Sequence, residues 1–183
     1  MKMMVMVALG FMAVVTDSGA DEAAVNHVSK VFHDGAYLPH VYRETDVIRR
    51  YGAGDSSIDE AGLLQRRYQD PVEGFEVTVT SNPDIEPEFR TVDEIRVSSI
   101  AAGARASTVT EGLGDLKLAG IKMGDPAADA LRAVRKYGRT HVTQARLGEF
   151  NVERACGYSG GGSSICFDVR DKRVVAMAVG FGP

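Results

Sequence analysis

Ala133-Val134-Arg135-Lys136-Tyr137-Gly138 repeats in kind an earlier stretch, Val47-Ile48-Arg49-Arg50-Tyr51-Gly52. Arginine, tyrosine and glycine coincide, and the other positions match in character. Each reads as the end of an amphipathic helix stopped by a glycine. The elements that follow correspond as well: a loop, a strand ending near a tyrosine (Tyr68, Tyr158), a turn, an alternating strand and a closing strand. The alternating strands are Phe75 to Thr80 and Ile165 to Val169, and the closers are Val92 to Val97 and Lys172 to Ala178. A six-residue match can arise by chance, and nothing upstream of Val47 matches the residues before Ala133. The order of elements is what argues for duplication. Neither half can bury a good core alone. The expected fold is therefore α+β: one antiparallel sheet with helices on one face, built from two related helix-plus-β-meander halves.

Local signals fill in the chain. Asp21 to His33 predicts a helix capped by Asp21, with Val25, Val28, Val31 and Phe32 on one stripe. The helix before Gly52 is expected from about Asp46, with Thr45 as cap. Gly52 to Ser57 reads as loop and Leu63 to Tyr68 as strand, with one or two helical turns over Ile58 to Arg67 as the alternative. Asp70 to Gly74 is a turn, and Phe89 to Ser99 returns as a strand. Leu116 to Leu118 reads as a short strand. Gly124-Asp125-Pro126 is the clearest helix start, with aspartate as cap and proline at the first helical position. Strands then follow at Arg146 to Cys156, Ser164 to Val169 and Val174 to Gly180. The expected organisation is a signal peptide over 1–20, a helix and first unit over 21–100, a small, Gly-rich linker over 101–115 and a second unit over 116–183.

The amino terminus decides the compartment. Met1-Lys2 supplies one positive charge, Met3 to Val15 is apolar or small, and Ser18-Gly19-Ala20 supplies the small residues a signal peptidase reads. This predicts cleavage after Ala20 and a periplasmic or secreted product. The apolar run is short of the ~20 residues a bilayer span needs, so no stable membrane insertion is expected after processing. With no cysteine near Ala20, a lipoprotein anchor at that site is excluded. The formal charge of −4 argues against nucleic acid, which calls for a basic face.

In such a compartment disulfides persist. Cys156 and Cys166 bracket Gly157 to Ile165, whose glycines Gly160 to Gly162 suit a hairpin tip. With the turn there, Cys156 faces Cys166 at a distance a disulfide accepts. Two free thiols or a catalytic pair are the competing reading. The spacing is not C-x-x-C, however, and two cysteines do not make a zinc site.

Gly120-Ile121-Lys122-Met123-Gly124-Asp125, then a helix ending in Tyr137-Gly138, then antiparallel strands, resembles the unit of the β-lactamase inhibitory protein-like folds. That group includes the small lipoprotein of the outer-membrane barrel-assembly machine. The likeness spans about Leu116 to Gly180, and Thr45 to Ser98 more weakly. It implies a protein-binding role on the open sheet face and its loops. The chain departs from the pattern in having cysteines only in its second half and in lacking the lipoprotein's anchoring cysteine. No functional residue is carried over by position.

No catalytic or metal site is expected, and no cofactor. His27, His33, His40 and His141 form no H-x-x-x-H or H-E-x-x-H pattern. Gly157 to Gly161 contains no G-x-S-x-G elbow. Adjacent acids such as Asp59-Glu60 and Asp93-Glu94 point to opposite sides of a strand and read as solubilising charge. The most suggestive surface element is the acidic, proline-bearing loop Asp84 to Phe89. There Ile85 and Phe89 stand among Glu86 and Glu88, a pattern suited to insertion into a partner. Its plain alternative is a solvated loop. The sequence thus favours an exported, non-catalytic protein-binding module, an inhibitor or immunity-type protein with another protein as partner. An envelope-assembly or structural role is the alternative, and an enzyme with a dispersed site is a further one.

Overall fold

The computed structural model describes residues 27–33, 35, 37–70, 74–99, 107–108 and 115–181. The signal segment, its cleavage point after Ala20, the Asp21 cap and Val25 lie outside the described residues. Among the described residues there are three α-helices: α1 (His27–His33), α2 (Glu44–Tyr51) and α3 (Ala127–Tyr137). The strands are β1 (Asp55–Ile58), β2 (Leu64–Asp70), β3 (Phe75–Ser81), β4 (Glu94–Ser99), β5 (Ser107–Thr108), β6 (Arg139–Leu147), β7 (Phe150–Tyr158), β8 (Ser163–Arg170) and β9 (Arg173–Phe181).

Eight strands form one antiparallel sheet in the order β1-β2-β3-β4-β9-β8-β7-β6, and β5 adds to β2 in parallel. The closing strands β4 and β9 lie side by side at the centre, pairing Ile95 with Val179 and Val97 with Met177. Register then places Tyr68, Val77, Val97, Met177, Phe167 and Ala155 in one row across the sheet. Val79, Ile95, Val179 and Ile165 form the next row. Because strand side chains alternate, both rows lie on one face. They pack against Val28, Val31 and Phe32 of α1, Val47 of α2, and Ala130 and Val134 of α3. All three helices therefore cover the same face. Each large apolar side chain buried here contributes roughly 1.5–3 kcal/mol.

The carboxyl end of α3 is set directly on β7. A Cβ at Gly157 would lie 2.5 Å from the Val134 carbonyl oxygen, and one at Gly138 only 2.0 Å from that of Tyr158. Both positions need glycine because no side-chain carbon fits between helix and strand. At the carboxyl end of α2, the buried Tyr68 hydroxyl of β2 donates a hydrogen bond to the Gly52 carbonyl at 3.0 Å.

Several local expectations are corrected. Helix α2 starts at Glu44, ahead of Thr45, and the Arg43 N–H donates to Asp46 Oδ2 at 3.1 Å. Helix α3 starts at Ala127, because Pro126 is extended and bridges to Arg173. The Asp125 carboxylate instead accepts the Lys122 N–H at 3.0 Å. The strand expected over Arg146 to Cys156 is two strands joined at Gly148-Glu149. Most side chains of β6 are exposed, which leaves little hydrophobic alternation along it. Strand β1 begins inside the expected loop, and β4 begins only at Glu94. Leu116 to Leu118 is not a strand, although both leucines are buried. The linker is not wholly without structure, since Ser107 and Thr108 pair with β2; residues 101–106 and 109–114 lie outside the described residues.

Cys156 and Cys166 are register partners on the helix-free face and form a disulfide, with a Cα–Cα distance of 4.1 Å. Replacing both by alanine is expected to cost about 2.5–3 kcal/mol in urea unfolding, the chain-entropy value for a loop of this length. Reduction of the unaltered protein should lower its unfolding midpoint to match. No change on reduction would show that the bridge does not constrain the unfolded chain.

Candidate functional site

The face opposite the helices is polar and recessed. Alternation that sends Val77, Val79, Ile95 and Val97 into the core sends Glu76, Thr78, Thr80, Glu94 and Arg96 the other way. These residues floor a cavity of about 420 Å³, walled by Asp59 and Leu63 from the β1–β2 turn and by Arg146, Leu147 and Gly148 from the β6–β7 turn. The turns at opposite edges of the sheet thus border one cavity, as a strongly twisted and coiled sheet allows. The open sheet face expected from sequence is thus indented and lined with charge.

The charges there are organised around Asp168, which is fully buried. Its Oδ2 accepts from Arg96 at 2.6 Å, and Arg154 donates to both oxygens at 2.7 and 2.9 Å. Arg96 also donates from Nε to Glu94 Oε1 at 3.1 Å. Burial opposes the Arg96 charge, but Glu94 and Asp168 outweigh it and hold the guanidinium protonated beyond its ordinary range. The network joins β4 to β8 and β7, so it crosses the central seam of the sheet.

Asp93, beside Glu94, lines the same cavity. Burial raises its carboxyl above the usual range, while the Asn82 N–H and nearby His40 pull it back only in part. The folded state therefore holds this proton more tightly than the unfolded chain does. Ionisation of Asp93 costs stability as pH rises through the carboxylate range. Asp93→Asn is expected to raise the Tm at pH 7, and the gain should vanish below the carboxylate range. A gain that is equal at both pH values would assign the effect to something other than charge. Asp59, its expected solubilising role notwithstanding, organises the β1–β2 turn: its Oδ1 accepts the Ala61 and Leu63 N–H groups, each at 2.9 Å.

The acidic loop is a second feature of the site. Residues 84–89 are all exposed, with Phe89 at 62% and Ile85 at 37%. A buried arginine holds the loop's shape from its base. Arg90 donates from Nε to the Ile85 carbonyl and from a terminal nitrogen to the Pro83 carbonyl, both at 3.0 Å. Its other nitrogen meets Glu44 Oε2 at 2.8 Å, and Arg66 Nε meets Glu44 Oε1 at 2.6 Å. Glu44 is 2% exposed. Arg43 adds a hydrogen bond to the Glu88 carbonyl at 3.0 Å. The loop is thus clamped at its base, with Ile85, Glu86, Glu88 and Phe89 presented outward.

A second cavity, of about 520 Å³, lies at the head of β6 and β7 and is lined by Arg139, His141, Tyr158, Ser159 and Ser163 with Gly160 and Gly162. Arg139 pairs in register with Tyr158, and His141 with Cys156. Ser159 and Ser163 share a hydrogen bond at 2.8 Å. No carboxylate lines it. Of the other histidines, His40 stacks on Phe181 with ring centres 3.7 Å apart, and His33 is exposed on α1. Among the described side chains, His33, His40 and His141 lie on three different elements. Among the described residues no group of three or more His, Cys, Asp or Glu side chains is placed to hold a metal ion. Among those residues, too, no helix is long and apolar enough to cross a membrane. The disulfide fits a compartment outside the reducing cytoplasm.

No family model matches the chain, and no curated protein matches it. Among solved structures it is similar to a DUF4309 family protein (YjgB) from Bacillus subtilis subsp. subtilis str. 168. The TM-score is 0.46 and the identity 13%, over 84% of this chain and 95% of that one. These comparisons do not bear out the resemblance to the β-lactamase inhibitory protein-like folds, which stands on the sequence pattern alone.

Proposed function

We propose that this chain is an exported, non-catalytic protein-binding module, of inhibitor or immunity type, that engages another protein through the helix-free sheet face and its loops. We further propose that it is a duplicated unit. In support, α2 with β1 to β4 and α3 with β6 to β9 share one order, and the strand order is a palindrome about the β4–β9 seam. Both helices end in Tyr-Gly, with the glycine N–H bonded to the carbonyl four residues back, at Ile48 and Val134.

The observation that carries the binding reading is the clamped acidic loop. An exposed phenylalanine and isoleucine among carboxylates, held in one shape by a buried Arg–Glu–Arg cluster, lose little entropy on docking. Such rigid apolar anchors are where interface energy concentrates. Around the first cavity, Asp168 is fully engaged by two arginines, which favours a structural over a proton-transfer role for it.

The test is affinity capture with the processed chain from periplasmic or culture extract, followed by binding measurements on the retained protein. A partner held more tightly than about 1 μM is expected, with Phe89→Ala and Ile85→Ala each weakening it at least tenfold, about 1.4 kcal/mol. No partner at that affinity, or one indifferent to both substitutions, would reject the reading.

A further inference from the structure

We propose that the open edge of β6, with the cavity at its head, takes up an extended acidic segment of another protein as an added strand. This rests on the binding-module reading and names a surface and a partner chemistry within it. Strand β6 is nine residues long and ends the sheet, with no strand on its outer side among the described residues. It contains no proline, is mostly exposed, and presents Val142 at 47% exposure. A long edge of this kind is a template for pairing with another chain.

The register tells which groups are on offer. At 4.1 Å between Cα atoms, Cys156 and Cys166 are a non-hydrogen-bonded pair, so the Cys156 backbone groups face β6. Cys156 and His141 are therefore a hydrogen-bonded pair, and the His141 backbone turns inward. The N–H and carbonyl groups of Thr140, Val142, Gln144 and Arg146 then point outward, away from β7. They repeat at the spacing an incoming strand requires.

Charge selects the occupant. Strand β6 carries Arg139 and Arg146 and no acidic residue, and Arg135 and Lys136 stand in the last turn of α3 just before it, although the whole chain has a formal charge of −4. A segment bearing carboxylates meets complementary charge along the edge. At its head, Arg139, His141 and the hydroxyls of Tyr158, Ser159 and Ser163 surround a cavity that no carboxylate lines, a seat for one of the segment's carboxylates.

The probe is a synthetic nine-residue peptide alternating valine and threonine, with glutamate at both ends and the centre, against a counterpart with lysine at those positions. Binding to the 15N-labelled processed chain is followed by amide shifts and fluorescence anisotropy. The glutamate peptide is expected to bind at least tenfold more tightly than the lysine peptide and to shift the Thr140, Val142, Gln144 and Arg146 amides. Arg139→Glu should weaken it at least tenfold. Val142→Pro should abolish it while leaving thermal unfolding little changed, because the N–H it removes faces outward and edge strands tolerate proline there. No binding below about 1 mM, equal binding of the two peptides, binding indifferent to Val142→Pro, or dimerisation through β6 would each overturn the proposal. A captured partner lost on Phe89→Ala but untouched by Val142→Pro would leave the binding-module reading standing and remove this one.

Discussion

Asp168→Ala is expected to destabilise the protein by about 3–5 kcal/mol, the range for removing one member of a buried ion pair. Asp168 has no exposed surface, and it accepts hydrogen bonds from both Arg96 and Arg154. Arg96 is itself 8% exposed. Without Asp168 it keeps only Glu94, which is part-exposed, and its remaining charge is left buried. Arg154 reaches solvent and suffers less. The loss should exceed that of either alanine substitution at Arg154 or Glu94. Pairing Asp168→Leu with Arg96→Met should recover most of it, because apolar residues of similar volume replace buried ion pairs at little cost. Urea unfolding of the four variants checks this. A loss under about 1 kcal/mol for Asp168→Ala would place the network in solvent-screened surroundings.

Glu44→Ala is the second large effect, and it couples stability to the binding loop. Glu44 is buried between Arg66 and Arg90, with one oxygen on each. Its removal leaves Arg90, which is 8% exposed, without a counter-charge, at an expected cost of about 3–5 kcal/mol. Arg90 also holds the Pro83 and Ile85 carbonyls. Once Arg90 can swing toward water, the loop loses its clamp. Amide exchange over residues 84–89 should accelerate, and the affinity of a captured partner should fall, although no exposed loop side chain has changed. Glu44→Gln keeps one acceptor and should fall between. Unaltered exchange in the loop of Glu44→Ala would show that the prolines alone order it.

These clusters mark where sequence reading stops. The core was legible: the period-two runs at Phe75 to Thr80 and Ile165 to Val169 are strands with their apolar residues against the helices. The Cys156–Cys166 pairing was legible because a glycine-rich hairpin fixes register over a short span. The loop Asp84 to Phe89 was legible as exposed and acidic. The reason for its shape was not, since Arg90 looks like any surface cation until Glu44 is brought to it from the far side of the unit. Strand β6 and its edge were missed because an edge strand is partnered on one side only and buries few side chains, so its composition follows solvent more than core.

The chain's own order of residues determined the strands that alternate, the helices that stop at Tyr51-Gly52 and Tyr137-Gly138, the disulfide and the one covered face. These depend on contacts between near neighbours or on the period of burial, both written along the chain. Tertiary structure alone decided that β4 and β9 meet at the centre, that Asp168 lies between Arg96 and Arg154, and that turns from opposite edges wall one cavity. Those outcomes depend on sheet twist and on charges that must find partners once water is excluded, and such partners are distant in sequence.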